Sequence, residues 1–348
     1  MSDPVEKAKV LFVECPAKGG AADLAESIGE FEVFRSTPDP LAARSRIAEI
    51  RPDVLVLDLE IERMDSMLFL RVLMQQAPMP VLVLSSLSPT ASWLALDALE
   101  SGAVDVFVRS SAAHLTPGQG PTLAAKLKAA ARTKFRQPVP KDSAREEGPE
   151  KNGKTLVLLG ASTGGTEAIR YIFSRLPASL PPICIVQHIP SDFSNLFAER
   201  LNSNSPIAVK QAENGDLLRP GCAYVAPGDK HMILARDSSG KISLKIRDGE
   251  KIMHHRPSID LMFESAAAVA GSQALAGLLT GMGRDGASGL LKLRQAGART
   301  FAQDEKSSVV YGMPRAAADI KAAEKILPLG DIAGFIARSC AVRKPQEG

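Results

Sequence analysis

A serine, a histidine and an aspartate each stand at the end of a short apolar run in the second half of the chain. Ser162 lies in Gly160-Ala161-Ser162-Thr163-Gly164-Gly165, directly after the run 155–159. His188 follows the run 182–187, and Asp285 sits in the loop 281–286 that follows 274–280. Together these side chains have the chemistry of acyl transfer: a hydroxyl nucleophile, an imidazole base to take its proton, and a carboxylate to orient the imidazole. The turn at Ser162 has glycines on both sides and precedes a segment of helical periodicity, Ile169, Ile172, Phe173 and Leu176. A strand, a tight glycine turn with serine and then a helix is the setting of a nucleophile elbow. The same pattern binds phosphate at a helix start, so the turn alone leaves nucleophile and nucleotide cradle as equal alternatives.

His188 and Asp285 separate them. Three strands of parallel type would bring Ser, His and Asp to one carboxyl edge, where sites form in open α/β sheets. Taken singly, His188 reads rather as a hydrogen-bonded histidine closing a strand and Asp285 as a turn aspartate before Gly286; together with Ser162 at the matching place they favour the catalytic reading. The nucleotide reading also lacks a P-loop lysine and an acid at the end of the next strand. The order Ser, His, Asp differs from the Ser, Asp, His of α/β-hydrolases.

Two domains must carry these elements. The chain has 348 residues, of which 45% are hydrophobic and 23% charged, as expected of a globular, well-cored protein. A net charge of +3, with no basic stretch interleaved with aromatics, argues against a nucleic-acid partner. No run approaches the roughly 18 apolar residues of a membrane span, and the polar amino terminus lacks a signal-peptide core. Cys15, Cys184, Cys222 and Cys340 are scattered without a C-x-x-C pair, against zinc and against a disulfide framework. These features lead to the expectation of a reduced, cytoplasmic protein.

Residues 1–136 alternate short strands (10–13, 31–34, 54–57, 81–84, 104–108) with helix-length segments such as 65–76 and 91–101, closing with a helix over 122–136. Five strands in this alternation predict a flavodoxin-like α/β domain. Residues 137–153, with three prolines and many charges, read as a solvated linker. Residues 154–348 alternate again, predicting a second, doubly wound and mainly parallel α/β domain.

Several blocks of this second domain resemble the catalytic domain of the chemotaxis protein-glutamate methylesterases, the CheB family. They are 160–169, 187–190, 226–232, 255–260, 279–286 and 311–315. The resemblance implies a serine hydrolase that cleaves glutamate methyl esters on chemoreceptor signalling helices, releases methanol and deamidates certain glutamines. Its triad would be Ser162, His188 and Asp285, with no cofactor for catalysis. The oxyanion would be met by the backbone N–H groups of Thr163 and Met282. Arg256 would bind an acidic stretch of the receptor through its planar guanidinium. For His231, His254 and Arg256 a structural hydrogen bond or a surface contact is the competing reading.

The first domain resembles a two-component receiver with altered chemistry. Asp58 matches the phosphoacceptor, and Ser85 the hydroxyl residue that contacts the phosphoryl group. The two acids after the first strand are replaced by Glu14 and Cys15, and the switch lysine and proline by Arg109 and Ser110. A thiol in place of a carboxylate removes a hard oxygen ligand, so the Mg²⁺ site at Glu14 and Asp58 should be weakened. A CheA-type histidine kinase is the partner this half implies. The reading adopted is a receiver-regulated methylesterase. The competing one is a module that docks on a receptor array, with hydrolysis secondary.

Overall fold

The computed structural model describes residues 7–14, 20–61, 64–109, 115, 117–133 and 153–341, which divide into two compact units at 135/136. Cys15, Ser110 and the linker positions 137–152 lie outside the described residues.

The first unit runs β1 (Ala8–Val13), α1 (Ala21–Ile28), β2 (Phe31–Ser36), α2 (Pro40–Ile50), β3 (Val54–Asp58), α3 (Ser66–Gln76), β4 (Val81–Ser85), α4 (Pro89–Glu100), β5 (Asp105–Val108) and α5 (Gly120–Ala131). Its strands are ordered β2-β1-β3-β4-β5 and pair in parallel, the flavodoxin-like order. Every residue of β3 and β4 is buried, as continuous Val/Leu runs require in a sheet covered on both faces. Asp39, Asp65 and Ser88 start α2, α3 and α4 by accepting the N–H groups of Ala42, Leu68 and Ala91. The last helix is shorter than the expected 122–136. It stops at Ala131, where the Thr133 hydroxyl donates to the Ala129 carbonyl at 3.2 Å and closes the final turn.

The second unit continues with β6 (Leu156–Ala161), α6 (Gly165–Phe173), β7 (Ile183–Gln187), α7 (Ser191–Ser203), β8 (Ala208–Gln211), β9 (Cys222–Val225), β10 (His231–Arg236), β11 (Ile242–Arg247), α8 (Ile259–Val269), β12 (Ala274–Leu278), α9 (Ala287–Gln295), β13 (Arg299–Gln303), α10 (Met313–Asp319), β14 (Lys325–Leu327) and α11 (Leu329–Cys340). Seven strands form one parallel sheet in the order β14-β13-β12-β6-β7-β9-β8, and β10 and β11 make a separate antiparallel hairpin. The chain leaves β6 toward β7 and later returns to place β12 on the other side of β6. That reversal opens a crevice outside the carboxyl ends of β6 and β12.

Candidate active site

Ser162 emerges from β6 into the crevice on a turn held from three directions. Its N–H donates to the Thr280 carbonyl at 3.0 Å, while its carbonyl accepts the Gly165 N–H at 2.7 Å and the Gln187 side-chain amide at 2.8 Å. Thr280, just beyond β12, adds a hydroxyl bond to the Thr163 carbonyl at 3.0 Å. Gly164, at φ 75°, starts α6, and a Cβ there would lie 2.5 Å from Val309 as well as straining a left-handed backbone. Gly281 fills the matching need opposite, since a Cβ on it would come 2.7 Å from the Ser162 Cβ. Only glycine lets the loop after β12 approach the serine this closely.

His188 leaves β7 with its N–H on the Ala161 carbonyl at 3.0 Å. Its Nε2 lies 2.9 Å from Asp285 Oδ2, and its side chain is 7% exposed. An ionised carboxylate can only accept, so Nε2 carries the hydrogen and Nδ1 is the basic nitrogen. Nδ1 is buried and has no partner among the described residues. The base is therefore the opposite nitrogen from the chymotrypsin-type arrangement, in which Nδ1 faces the aspartate. The imidazole is also stacked on His255, with ring centroids 3.8 Å apart and planes 6° apart. His255 closes a tight turn in which Met253 and His254 adopt φ of 48° and 70°, a conformation uncommon for residues with side chains.

Asp285 is 1% exposed and accepts four hydrogen bonds. Oδ2 takes His188 Nε2 and the Ile259 N–H at 2.8 Å, and Oδ1 takes the Ser258 hydroxyl at 3.0 Å and the Asp260 N–H at 3.1 Å. Two of these donors belong to the first turn of α8, whose N–H groups have no intrahelical partner. Burial alone would raise the Asp285 pKa. The bond and charge interaction with His188, together with the two N–H groups, overcome that and hold it down to about 2.

The remaining expected residues differ in their surroundings. Thr163 is buried, and Met282 is half-buried beside Gly281, its N–H absent from the backbone hydrogen bonds of the described residues. Arg256 is half-buried and donates to the Gly249 carbonyl at 2.6 Å, bracing its own loop. His231 is buried and structural: Nε2 donates to the Glu250 carbonyl at 2.9 Å and Nδ1 accepts the Ser258 N–H at 3.1 Å. His254 is exposed on the tight turn. Sequence reasoning did not single out His255, Ser258 or Thr280. His255 and Ser258 share one block with Arg256, but no spacing rule shows that this block folds against Asp285.

The receiver-like unit presents Glu14, Asp58 and Ser85 at its own carboxyl edge. Asp58 is fully buried, and both its carboxylate oxygens accept from Arg109, each at 3.1 Å. The same guanidinium reaches Glu60 at 2.9 Å, and Glu60 in turn accepts the Ser86 N–H and hydroxyl, each at 2.9 Å. The Ser85 hydroxyl lies 3.1 Å from the Ser86 and Ala91 carbonyls. Glu14 accepts the Ala22 N–H at 3.1 Å with one oxygen, leaving the other, Oε2, buried and unpartnered, and burial raises its pKa. Among the described residues only this one carboxylate oxygen is spare, because Arg109 occupies both oxygens of Asp58, and they do not fit Mg²⁺, which is held by one or two carboxylates besides its waters. Among the described residues no cluster of three or more metal-ligating side chains occurs.

The chain is similar to several known proteins. A family model described as CheB methylesterase matches residues 157–336. The chain is 44% identical over 344 residues to protein-glutamate methylesterase/protein-glutamine glutaminase 3 of Burkholderia lata, covering 94% of each. It is 43% identical over 335 residues to the protein-glutamate methylesterase/protein-glutamine glutaminase of Salmonella typhi, covering 94% of this chain and 95% of that one. Among solved structures it is similar to the Thermotoga maritima CheB methylesterase catalytic domain, with 37% identity and a TM-score of 0.52 over 53% of this chain and 98% of that one.

Proposed function

The chain belongs to the CheB methylesterase family, and from that premise we propose that Ser162, His188 and Asp285 perform its hydrolysis of glutamate methyl esters. It is a protein-glutamate methylesterase and protein-glutamine glutaminase. The observation that carries the residue assignment is the fixed His188 tautomer, with a buried unpartnered Nδ1 at the edge where Ser162 emerges.

In the first half-reaction Nδ1 takes the Ser162 proton as Oγ bonds to the side-chain ester carbon. The carbonyl electron pair moves onto oxygen, where the Met282 and Thr163 N–H groups would stabilise it. Charge builds on the imidazole at the same moment, and the Asp285 carboxylate offsets it. Collapse breaks the bond to the methoxy oxygen, which leaves as methanol with the His188 proton. Water then attacks the acyl-serine, His188 again acting as base, and a glutamate carboxylate is released with Ser162 restored. With glutamine as substrate the same steps release ammonia.

The substrate we propose is the methylated signalling helix of a chemoreceptor, acted on in the cytoplasm. A CheA-type kinase is the partner proposed for the receiver-like unit. A docking module with secondary hydrolysis is disfavoured, because folding does not require four donors to converge on an aspartate beside a histidine. A serine-directed fluorophosphonate tests the assignment: the adduct should map to Ser162 and abolish methanol release. An adduct elsewhere with the same loss would refute it.

A further inference from the structure

Asp260 lies in the first turn of α8 and is buried, 5% exposed. Its backbone N–H donates to Asp285, while its carboxylate crosses to the start of α9 and accepts the Gly289 N–H at 2.7 Å. The two helix starts thus exchange carboxylates. Asp285, just ahead of α9, accepts two N–H groups of α8, and Asp260, on α8, accepts the Gly289 N–H of α9. Each set of N–H groups would otherwise lack an acceptor, so both exchanges favour the same relative placement of the helices.

The exchange reaches the chemistry through one residue. Gly286 follows Asp285 directly, so fixing the start of α9 against α8 also fixes the backbone that carries the Asp285 carboxylate. Lys292 on α9 pairs with Glu264 on α8 at 2.7 Å farther along, but exposed and remote from the site. On the other side, His231 holds the Ser258 N–H and so steadies the residue whose hydroxyl meets Asp285. Burial and the neighbouring Asp285 charge push the Asp260 pKa up to about 6, although the Gly289 N–H opposes this. A carboxylate kept in that position despite such a cost is consistent with a demand on geometry rather than on charge.

Resting on the assignment of Asp285 as the triad acid, we propose that Asp260 is a positioning residue for ester hydrolysis: its carboxylate ties the start of α9 to α8 and holds Asp285 in line with His188. It touches neither substrate nor nucleophile. Its loss should therefore lower kcat and leave KM unchanged.

The test compares D260A and D260N with the unaltered full-length protein, using methanol release from methylated receptor membranes. The downfield proton resonance of the His188–Asp285 hydrogen bond is recorded in parallel. D260A should lower kcat by roughly 30- to 100-fold, since about 1 Å of misplacement can cost about 100-fold. D260N keeps an acceptor for Gly289 but replaces the other carboxylate oxygen by an NH₂ and removes the charge, and should cost roughly three- to tenfold at unchanged KM. The resonance should shift or broaden in D260A and less so in D260N. The near-isosteric D260N keeps the test decisive if D260A does not fold. Wild-type kcat and resonance in D260N overturn the proposal, as does a loss confined to KM or Tm in D260A. The resonance needs no turnover, so inactive unaltered protein would count against the esterase assignment while Asp260 is still judged by the resonance.

Discussion

Replacing Asp285 by asparagine is the most informative single perturbation of the hydrogen-bond geometry. The carboxylate accepts four bonds, two on each oxygen, and an amide can meet only one side. If its NH₂ faces His188, Nε2 must become an acceptor, the hydrogen moves to Nδ1, and the base is lost. If its NH₂ faces the other way, the Ser258 hydroxyl can rotate to accept, but the Asp260 N–H is left unpaired at about 1–3 kcal/mol. In either orientation the negative charge that offsets the imidazolium is gone. We expect kcat to fall about 10³–10⁴-fold, or about 4–5.5 kcal/mol of barrier, with KM little changed. Methanol release from methylated receptor membranes would measure it, with circular dichroism confirming the fold. A folded variant within about tenfold of the unaltered kcat would refute the tautomer argument.

Two further outcomes follow from the structure. With Arg109 covering both oxygens of Asp58, a small phosphodonor with Mg²⁺ should modify Asp58 slowly or not at all, and D58N should change esterase activity little. Mass spectrometry showing rapid Asp58 phosphorylation with strong activation would overturn this reading. H255A should remove the stack on His188 and lower kcat roughly two- to tenfold, because an aromatic pair contributes about 0.5–1.5 kcal/mol. An unchanged kcat would show the stack to be incidental.

Much of this was legible in the sequence, because strand-forming runs and glycine turns are local signals. The β3 and β4 runs announced a covered parallel sheet, and the glycines around Ser162 announced a turn after β6. What stayed hidden depends on contacts between distant segments. The Asp285 carboxylate meets residues more than twenty positions earlier in the chain, and only the fold places α8 against that loop. The resemblance aligned Arg109 with the switch lysine, but the bidentate grip on Asp58 with a further reach to Glu60 depends on side-chain geometry. For Arg256 the sequence left open a structural hydrogen bond or a grip on substrate carboxylates, and its donation to the Gly249 carbonyl of its own loop depends on a fold that no local signal shows.

Ester hydrolysis by this chain depends above all on Ser162 as the nucleophile. The most direct measurement is methanol release from methylated chemoreceptor membranes by the unaltered protein and by S162A under identical conditions. S162A should fold normally and lose about 10⁴-fold or more of the activity. Activity of folded S162A within about tenfold of the unaltered protein would contradict the assignment.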